Sequence, residues 1–486
     1  MHDFSWYAAV VYGCEWLFRL CLVGVVIMRR RPMPTTLAWV TVLLLLPIVG
    51  TMAYLMIGEN RLGSRRIRKY RELTAGMEQQ AVKLWKHRHY DWSGENAAYQ
   101  HIWQLATNES GLPPLEGNSV RLIASSDTFL SDLVADIDGS QSHCHLLFYI
   151  YTTSPKCWAV SEALMRAARR GVACRLLVDG VGSKQFLRSE YVRRLRHAGV
   201  QVVAALPVSP LRVLLSRIDL RNHRKIVVID GRIAYAGSQN LTDDTFRAGW
   251  NRKVGPWIDA MVRVKGPAAQ ALSVVFLQDW QSDSDEEVAD IAPFLPELPP
   301  KGDSGSVIQV LPSGPGESPE SILQLFVTTL FAAREELIIS TPYFVPDEST
   351  RRALQAAALR GVAVTIIMPQ QANSPVLAAA SRSQWESLLE CGVRIRLFQG
   401  GLLHSKTLTV DRKIALIGSA NLDQRSFWLN FEVTLIHYDD DFASELRFLQ
   451  TSYLEQSEEV HLDEWRARPK YQVLFDNAAQ LLGPLL

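Results

Sequence analysis

The chain has 486 residues, 48% of them apolar, and its 51 Lys and Arg against 50 Asp and Glu leave a formal net charge of +1. That length accommodates about three domains and a large core, and the balanced charge argues against a nucleic-acid enzyme, which carries a basic excess. Six cysteines, Cys14 and Cys21 in the first apolar run and Cys144, Cys157, Cys174 and Cys391 scattered without a C-x-x-C, indicate neither a disulfide framework nor a zinc site.

Two hydrophobic runs open the chain, Tyr7 to Met28 and Leu37 to Ile57, joined by Arg29-Arg30-Arg31-Pro32-Met33-Pro34. Each is long enough to cross the roughly 30 Å of bilayer hydrocarbon as one helix. Residues 1–60 therefore read as a transmembrane helical hairpin, with helices over about 7–28 and 37–57. A cleaved signal peptide fits less well, because the second run follows at once and no small-residue cleavage site is evident. Glu15 and Arg19 lie in the first run, where a lone charge costs about 2.5 to 3.5 kcal/mol in lipid. Four residues apart, they can pair on one helix face.

Residues 61–117 read as a basic and polar connector holding Arg61, Arg65, Arg66, Arg68, Lys69 and Arg71, then Trp85, Trp92 and Trp103. Counted over both flanks, this charge places the N-terminus and the large domain in the cytoplasm, although the first helix alone gives the reverse. The basic stretch also suits anionic lipid heads.

Beyond residue 118 the chain repeats itself. Ala163-Leu164 to Ala173 aligns with Ala353-Leu354 to Ala363, each an Ala-rich helix stopped by a glycine and followed by an apolar strand, Cys174 to Val178 and Val364 to Met368. A second helix then ends at Gly199 and at Gly392. Two α/β units follow, 118–280 and 304–486, separated by an acidic, proline-rich linker over 281–303. The tail from Trp465 onward fits docking on the membrane or on the domain. The stretch Leu211 to Arg221 mixes apolar side chains with arginines, as an interfacial segment or an ordinary amphipathic helix does.

Each unit carries one copy of a paired motif. His223-Arg224-Lys225, then Asp230, is followed by Gly237-Ser238-Gln239-Asn240; His404-Ser405-Lys406, then Asp411, is followed by Gly418-Ser419-Ala420-Asn421. A single H-x-K-x4-D is weak, but two copies with the same downstream G-S-x-N are not. His and Lys two apart project from one face of a strand, and Ile226 to Ile229 and Thr407 to Val410 read as buried strands closing at a turn. Brought together, the copies would set two imidazoles and two ammonium groups around one anion. One His can attack phosphorus, the other can protonate the leaving oxygen, and the lysines stabilise the phosphoryl charge. Ser238, Asn240, Ser419 and Asn421 can add hydrogen bonds to that phosphoryl group or support the reacting groups from behind. Asp230 and Asp411 complete the catalytic candidates and also stand where each strand turns. No metal or other cofactor is called for, since no acidic cluster of the two-metal type is present and the lysines supply positive charge.

These motifs resemble the phospholipase D superfamily, and within it the bacterial cardiolipin synthase family. The resemblance is carried also by Gly400 to His404, Asn421 to Ser426, Trp428 to Glu432, Ser340 to Pro346 and the apolar N-terminal pair. It implies two pseudo-symmetric α/β sandwich halves behind the hairpin and a multi-pass protein of the bacterial inner membrane. The implied reaction has one phosphatidylglycerol give its phosphatidyl group to an enzyme histidine, releasing glycerol, and a second take it up to form cardiolipin. It also implies that Asp259 and Glu432, each before an apolar strand, orient the imidazoles. The first half departs from the pattern at Asp243-Asp244-Thr245-Phe246, where the second has Asp423-Gln424-Arg425-Ser426. Water or another alcohol as acceptor, and a catalytically silent membrane scaffold, are the competing classes; no nucleic-acid partner is expected, and the sequence does not specify an oligomeric state.

Overall fold

The computed structural model describes residues 2–29, 33–58, 76–90, 92, 99–207, 217, 219–243, 246, 254–284, 286–298, 305–315 and 320–481. Most of the Leu211 to Arg221 segment thus lies outside the described residues. The chain forms two compact units, Met1–Ile67 with Val208–Leu220, and Arg68–Pro207 with Arg221–Leu486.

In the smaller unit, helix His2–Met28 contains a span, Val10–Met28, long and apolar enough to cross a membrane. Arg19 pairs with Glu15 at 3.1 Å and lies over the Trp16 ring. The second run is not the continuous helix expected over 37–57. Helix Met33–Leu45 stops at Leu46 (φ −119°, ψ 83°), and Pro47–Ala53 and a π-turn at Tyr54–Gly58 follow. Pro47 is the cause: its ring removes a backbone donor and pushes the residue before it out of the helical region.

Among the described residues the larger unit is organised by one sheet of sixteen strands, fifteen in a row and the short strand Arg221–Asn222 paired off that row to Asn430–His437. Its first half contributes β1 (Leu115–Ile123), β2 (His143–Phe148), β3 (Ala173–Asp179), β4 (Gln201–Ala205), β5 (Ile226–Ile229), β6 (Ile233–Gly237) and β7 (Met261–Lys265). The second contributes β8 (Ser306–Ser313), β9 (Glu336–Ser340), β10 (Ala363–Pro369), β11 (Arg394–Phe398), β12 (Thr407–Val410), β13 (Ile414–Gly418), β14 (Asn430–His437) and β15 (Ser457–Glu459). Spatially the order is β4-β3-β2-β5-β6-β7-β1, then β8-β14-β13-β12-β9-β10-β11-β15. Each half thus mirrors the other apart from β15, an extra strand at the outer edge of the second, and the two join where β1 runs antiparallel to β8.

The parallel strands β2, β3 and β4 carry apolar runs because both of their faces are covered. Helices Ser126–Asp138, Pro155–Arg169 and Glu190–His197 close one apolar layer around Phe129, Leu164 and Leu195. On the other face helix Pro267–Asp283 is buried on all sides from Pro267 to Gln281, and polar members such as Gln270 and Asp279 are hydrogen-bonded there to Trp85 and Arg224. That layer is shared between the halves, taking in Phe276 and Val264 from one and Val433 and Phe442 from the other. β1 begins three residues before position 118, and Val288, Ile291 and Leu295 of the acidic segment belong to this core. Trp85 is buried there too, its Nε1 donating to Gln270 Oε1 at 2.7 Å, whereas Trp92 stacks on Trp103 and meets Tyr438 of the second half. The tail docks on the second half: Asp476 of helix Lys470–Gln480 pairs with Arg382 and Arg468 at 2.8 and 2.9 Å.

Candidate active site

His223 and Lys225 stand just before β5, and His404 and Lys406 just before β12, at the end of each strand opposite its turn. All four side chains are buried or nearly so, with His223 at 9% and His404 at 3% exposure. Each half reaches across to hold the other's motif. Arg221-Asn222 pairs in parallel with Asn430-Phe431, and His223 N donates to Phe431 O at 2.9 Å. In the mirrored position Trp257-Ile258 pairs with Leu402-Leu403, and His404 N donates to Ile258 O at 2.8 Å.

That exchange carries the carboxylates across. Glu432 of the second half lies 2.9 Å from His223 Nδ1, and Asp259 of the first lies 2.6 Å from His404 Nδ1. An ionised carboxylate only accepts, so each Nδ1 carries the proton and each Nε2 keeps its lone pair. Burial tends to raise the Asp259 and Glu432 carboxyls, but the facing imidazoles and lysines overcome it, leaving Glu432 below the ordinary range and Asp259 at about 2.

The serines of the G-S-x-N motifs complete this support. Ser238 Oγ donates to Asp259 Oδ1 at 2.6 Å and Ser419 Oγ donates to Glu432 Oε2 at 2.5 Å. Their hydroxyls are thus engaged with the carboxylates that face the histidines, the supporting position expected of them as an alternative to a phosphoryl contact. The glycines serve the same end: a Cβ on Gly237 would sit 2.4 Å from Ala260 O, and one on Gly418 2.3 Å from Val433 O. Only a residue without Cβ lets those strands approach so closely. Asn240 Oδ1 accepts from Ile150 N at 3.1 Å; Asn421 is buried, its backbone N–H donating to Ser426 Oγ and its Oδ1 unpartnered.

Asp230 and Asp411, candidates that also stand where each strand turns, are engaged at those turns. Both sit at φ near +50°, the first central residue of a two-residue hairpin turn, with Arg232 N bonded to Ile229 O and Lys413 N to Val410 O. The Asp230 carboxylate accepts from the backbone N–H groups of Gln141, Ser142 and His143, and Asp411 from those of Arg334, Glu335 and Glu336. At about 3.3 Å per residue, five residues of strand put each roughly 16 Å from its lysine. They fix the turn and the start of β2 or β9, far from the histidines.

Lys225 Nζ donates to His223 O at 2.6 Å and Lys406 Nζ to His404 O at 2.5 Å. Burial pulls Lys225 well below its ordinary value and Lys406 to about 8, and the two ammonium groups repel across the cleft. Burial likewise holds both catalytic-pair imidazoles at about 4, against the opposing pull of their carboxylates. Tyr149 packs edge-on against His223 at 5.0 Å, and Trp257 lies 4.5 Å from His404. Trp257 was missed in the sequence, where only its place two residues before Asp259 could have flagged it. The centre thus consists of two imidazoles, each held through Nδ1 by a carboxylate of the opposite half, and two buried lysines.

Comparison with known proteins agrees. A family profile described as "Cardiolipin synthase, PLD-like domain" matches residues 133–280 and 326–449, and one described as "Phospholipase_D-nuclease N-terminal" matches 17–59. Cardiolipin synthase A of Erwinia tasmaniensis is 41% identical over 483 residues, 99% of this chain and 98% of that protein. Cardiolipin synthase A of Serratia proteamaculans is 39% identical over 482 residues, again 99% and 98% of the two chains. In fold the chain is similar to the phosphatidylserine synthase of Haemophilus influenzae Rd KW20, at 15% identity and a TM-score of 0.59 over 79% of this chain and all of that one. The chain belongs to the cardiolipin synthase family of phospholipase D-like proteins. It is a membrane protein.

Proposed function

We propose that the chain is a phosphatidyltransferase that makes cardiolipin from two phosphatidylglycerol molecules. The observation that carries this reading is the crossed pair of Nδ1–carboxylate contacts, which presents two Nε2 atoms to one phosphodiester. His223 Nε2 attacks phosphorus, the bond to the glycerol oxygen breaks, and His404 Nε2–H gives that oxygen its proton, releasing glycerol. The hydroxyl of a second phosphatidylglycerol then yields its proton to His404 and attacks the phosphohistidine, which frees His223 and forms cardiolipin. Lys225 and Lys406 hold the phosphoryl oxygens throughout. Because the free site keeps both imidazoles neutral, His404 Nε2 takes up one proton from solvent as the phosphodiester anion binds, and that negative charge stabilises the imidazolium. His223 and Glu432 form the attacking pair, and His404 and Asp259 the proton-handling pair.

Incubating the purified protein with phosphatidylglycerol and a chelator, and reading products by mass, tests this. Cardiolipin with glycerol supports it; phosphatidic acid with glycerol would make the protein a hydrolase; no product would send the search to another alcohol acceptor. We further infer two membrane passes in the bacterial inner membrane with the catalytic unit cytoplasmic, supported by the cationic run after residue 60. Protease protection in oriented vesicles reads that side directly.

A further inference from the structure

Beside Tyr343, in the second half, stands a cavity of about 210 Å³. Its walls are Phe344 of the short strand Phe344–Val345, Met368 and Leu397 at the ends of β10 and β11, Leu377 and Ala378 of helix Pro375–Arg382, and Trp385. Of the polar groups that reach it, three are already engaged, while Trp465, also in the wall, has an Nε1 buried without a partner. Tyr343 Oη donates to Asn373 Oδ1 at 2.7 Å, Ser381 Oγ accepts from Trp385 Nε1 at 3.1 Å, and Arg382 is paired with Asp476 at 2.8 Å. Gln370 stands at the exposed rim. A site whose walls are mostly apolar, with a single buried indole donor among them, favours an apolar occupant.

The cavity adjoins the catalytic cleft. Phe344 and Val345 pair with Leu422 and Asp423, the residues directly after Asn421 of the second motif. In the first half the corresponding strand end has Asp179 where β10 has Pro369, and that carboxylate takes the Arg221 guanidinium and the Asn222 N–H. One flank of the cleft is thus charged and the other apolar. A second observation concerns helix Lys470–Gln480, which lies on helix Pro375–Arg382 through Asp476 and turns Tyr471, Leu474 and Phe475 outward at 71%, 71% and 57% exposure. Apolar and aromatic residues at i, i+3 and i+4 on an outward face are the pattern of a helix lying in a lipid interface.

We infer that this cavity holds an acyl chain of a phospholipid substrate, which enters from the second-half side along helix Lys470–Gln480. The inference rests on the transferase reading for the identity of the substrate and adds to it where the tail goes.

The test compares full-length protein with its Ala378→Phe variant, which puts a ring into the cavity, on dioleoyl- and dihexanoyl-phosphatidylglycerol, reading released glycerol. The expected result is a fall in kcat/KM of about tenfold or more on the long-chain lipid and a change within about twofold on the short one. Equal losses on both lipids, or no loss on either, overturn the proposal. A second measurement needs neither turnover nor a variant: wild-type protein is photolabelled with phosphatidylglycerol carrying a diazirine at the end of one acyl chain. Label on peptides containing Met368, Leu377 or Leu397 supports the cavity, and label confined to the N-terminal helices overturns it. Label in the cavity without cardiolipin formation would keep the cavity and sink the transferase reading; cardiolipin without that label would do the opposite.

Discussion

His223 and His404 occupy matching points of a mirrored sheet, yet the first rests on charge and the second on neutral groups. Beneath His223 the fully buried Arg224 bonds to Asp279 Oδ1, Glu432 O and Ser313 O, Asp279 also takes Asn222 Nδ2, and Arg221 meets Asp179 at 3.3 Å. Beneath His404 the residue matching Arg224 is Ser405, and Gln450 serves the strand, donating to Thr407 Oγ1 and Ile338 O and accepting from Thr409 Oγ1. Two of the Arg224 bonds end on the backbone of the other half. The charged network therefore adds side-chain bonds across to the partner half at the first motif, whereas the second motif crosses through strand Trp257–Ile258 and Asp259, and its Gln450 brace lies within its own half. Duplication preserved the reacting groups and let their supports diverge.

The largest expected effect breaks the pairing outright. His223→Ala and His404→Ala should each lower cardiolipin formation by about 10³-fold or more. With short-chain donor, His404→Ala should accumulate a phosphatidyl adduct on His223 in intact-protein mass spectra; an adduct on His404 in the His223→Ala protein would move the nucleophile to the neutral half.

The next contrast is one of stability. Arg224→Met leaves Asp279 buried without its cation and should cost about 3 to 5 kcal/mol, whereas Ser405→Ala should cost less than about 1 kcal/mol. Thermal unfolding of the detergent-solubilised chain checks both, and equal shifts would remove the asymmetry. Smaller, and alike in the two halves, are Asp230→Ala and Asp411→Ala, each losing about 1 to 3 kcal/mol as three backbone donors lose their acceptor. The turnover number, measured below either variant's melting point, should hold.

The pH response should be the gentlest. His223, His404 and His143 are held by burial at about 4 and His437 at about 3, below the unfolded value of about 6.5. Above that value both states are neutral at these groups. Between it and about 4 the unfolded chain binds protons that the folded one does not, so stability should fall as pH drops through this window. Asp423, raised to about 6 by burial, opposes the trend in part. Melting temperatures from pH 8 to 5 should decline; a flat profile would mean that these imidazoles are not buried as described.

Much of this was legible before any coordinates. Repeats of helix, glycine and strand announced the two α/β halves, and a doubled H-x-K with G-S-x-N located the centre. Less legible were features that depend on strands distant in the chain. Nothing local to Glu432 says that it faces His223, 209 residues away, nor that Ser419 and Gly418 exist to bring its strand close. Asp230 and Asp411 share a motif with the histidines because one short strand separates a site from the turn that anchors it, and spacing alone does not say which end reacts. Pro47 was visible, but apolar composition outweighed it. The cavity beside Tyr343 is lined from four separate segments.

Because each imidazole takes its orienting carboxylate from the opposite half, neither half can assemble a competent centre alone, and a chain whose halves have folded but not docked holds both histidines loose. On the proposed mechanism, reactivity toward phosphodiesters should therefore appear only once the interface between the halves has closed.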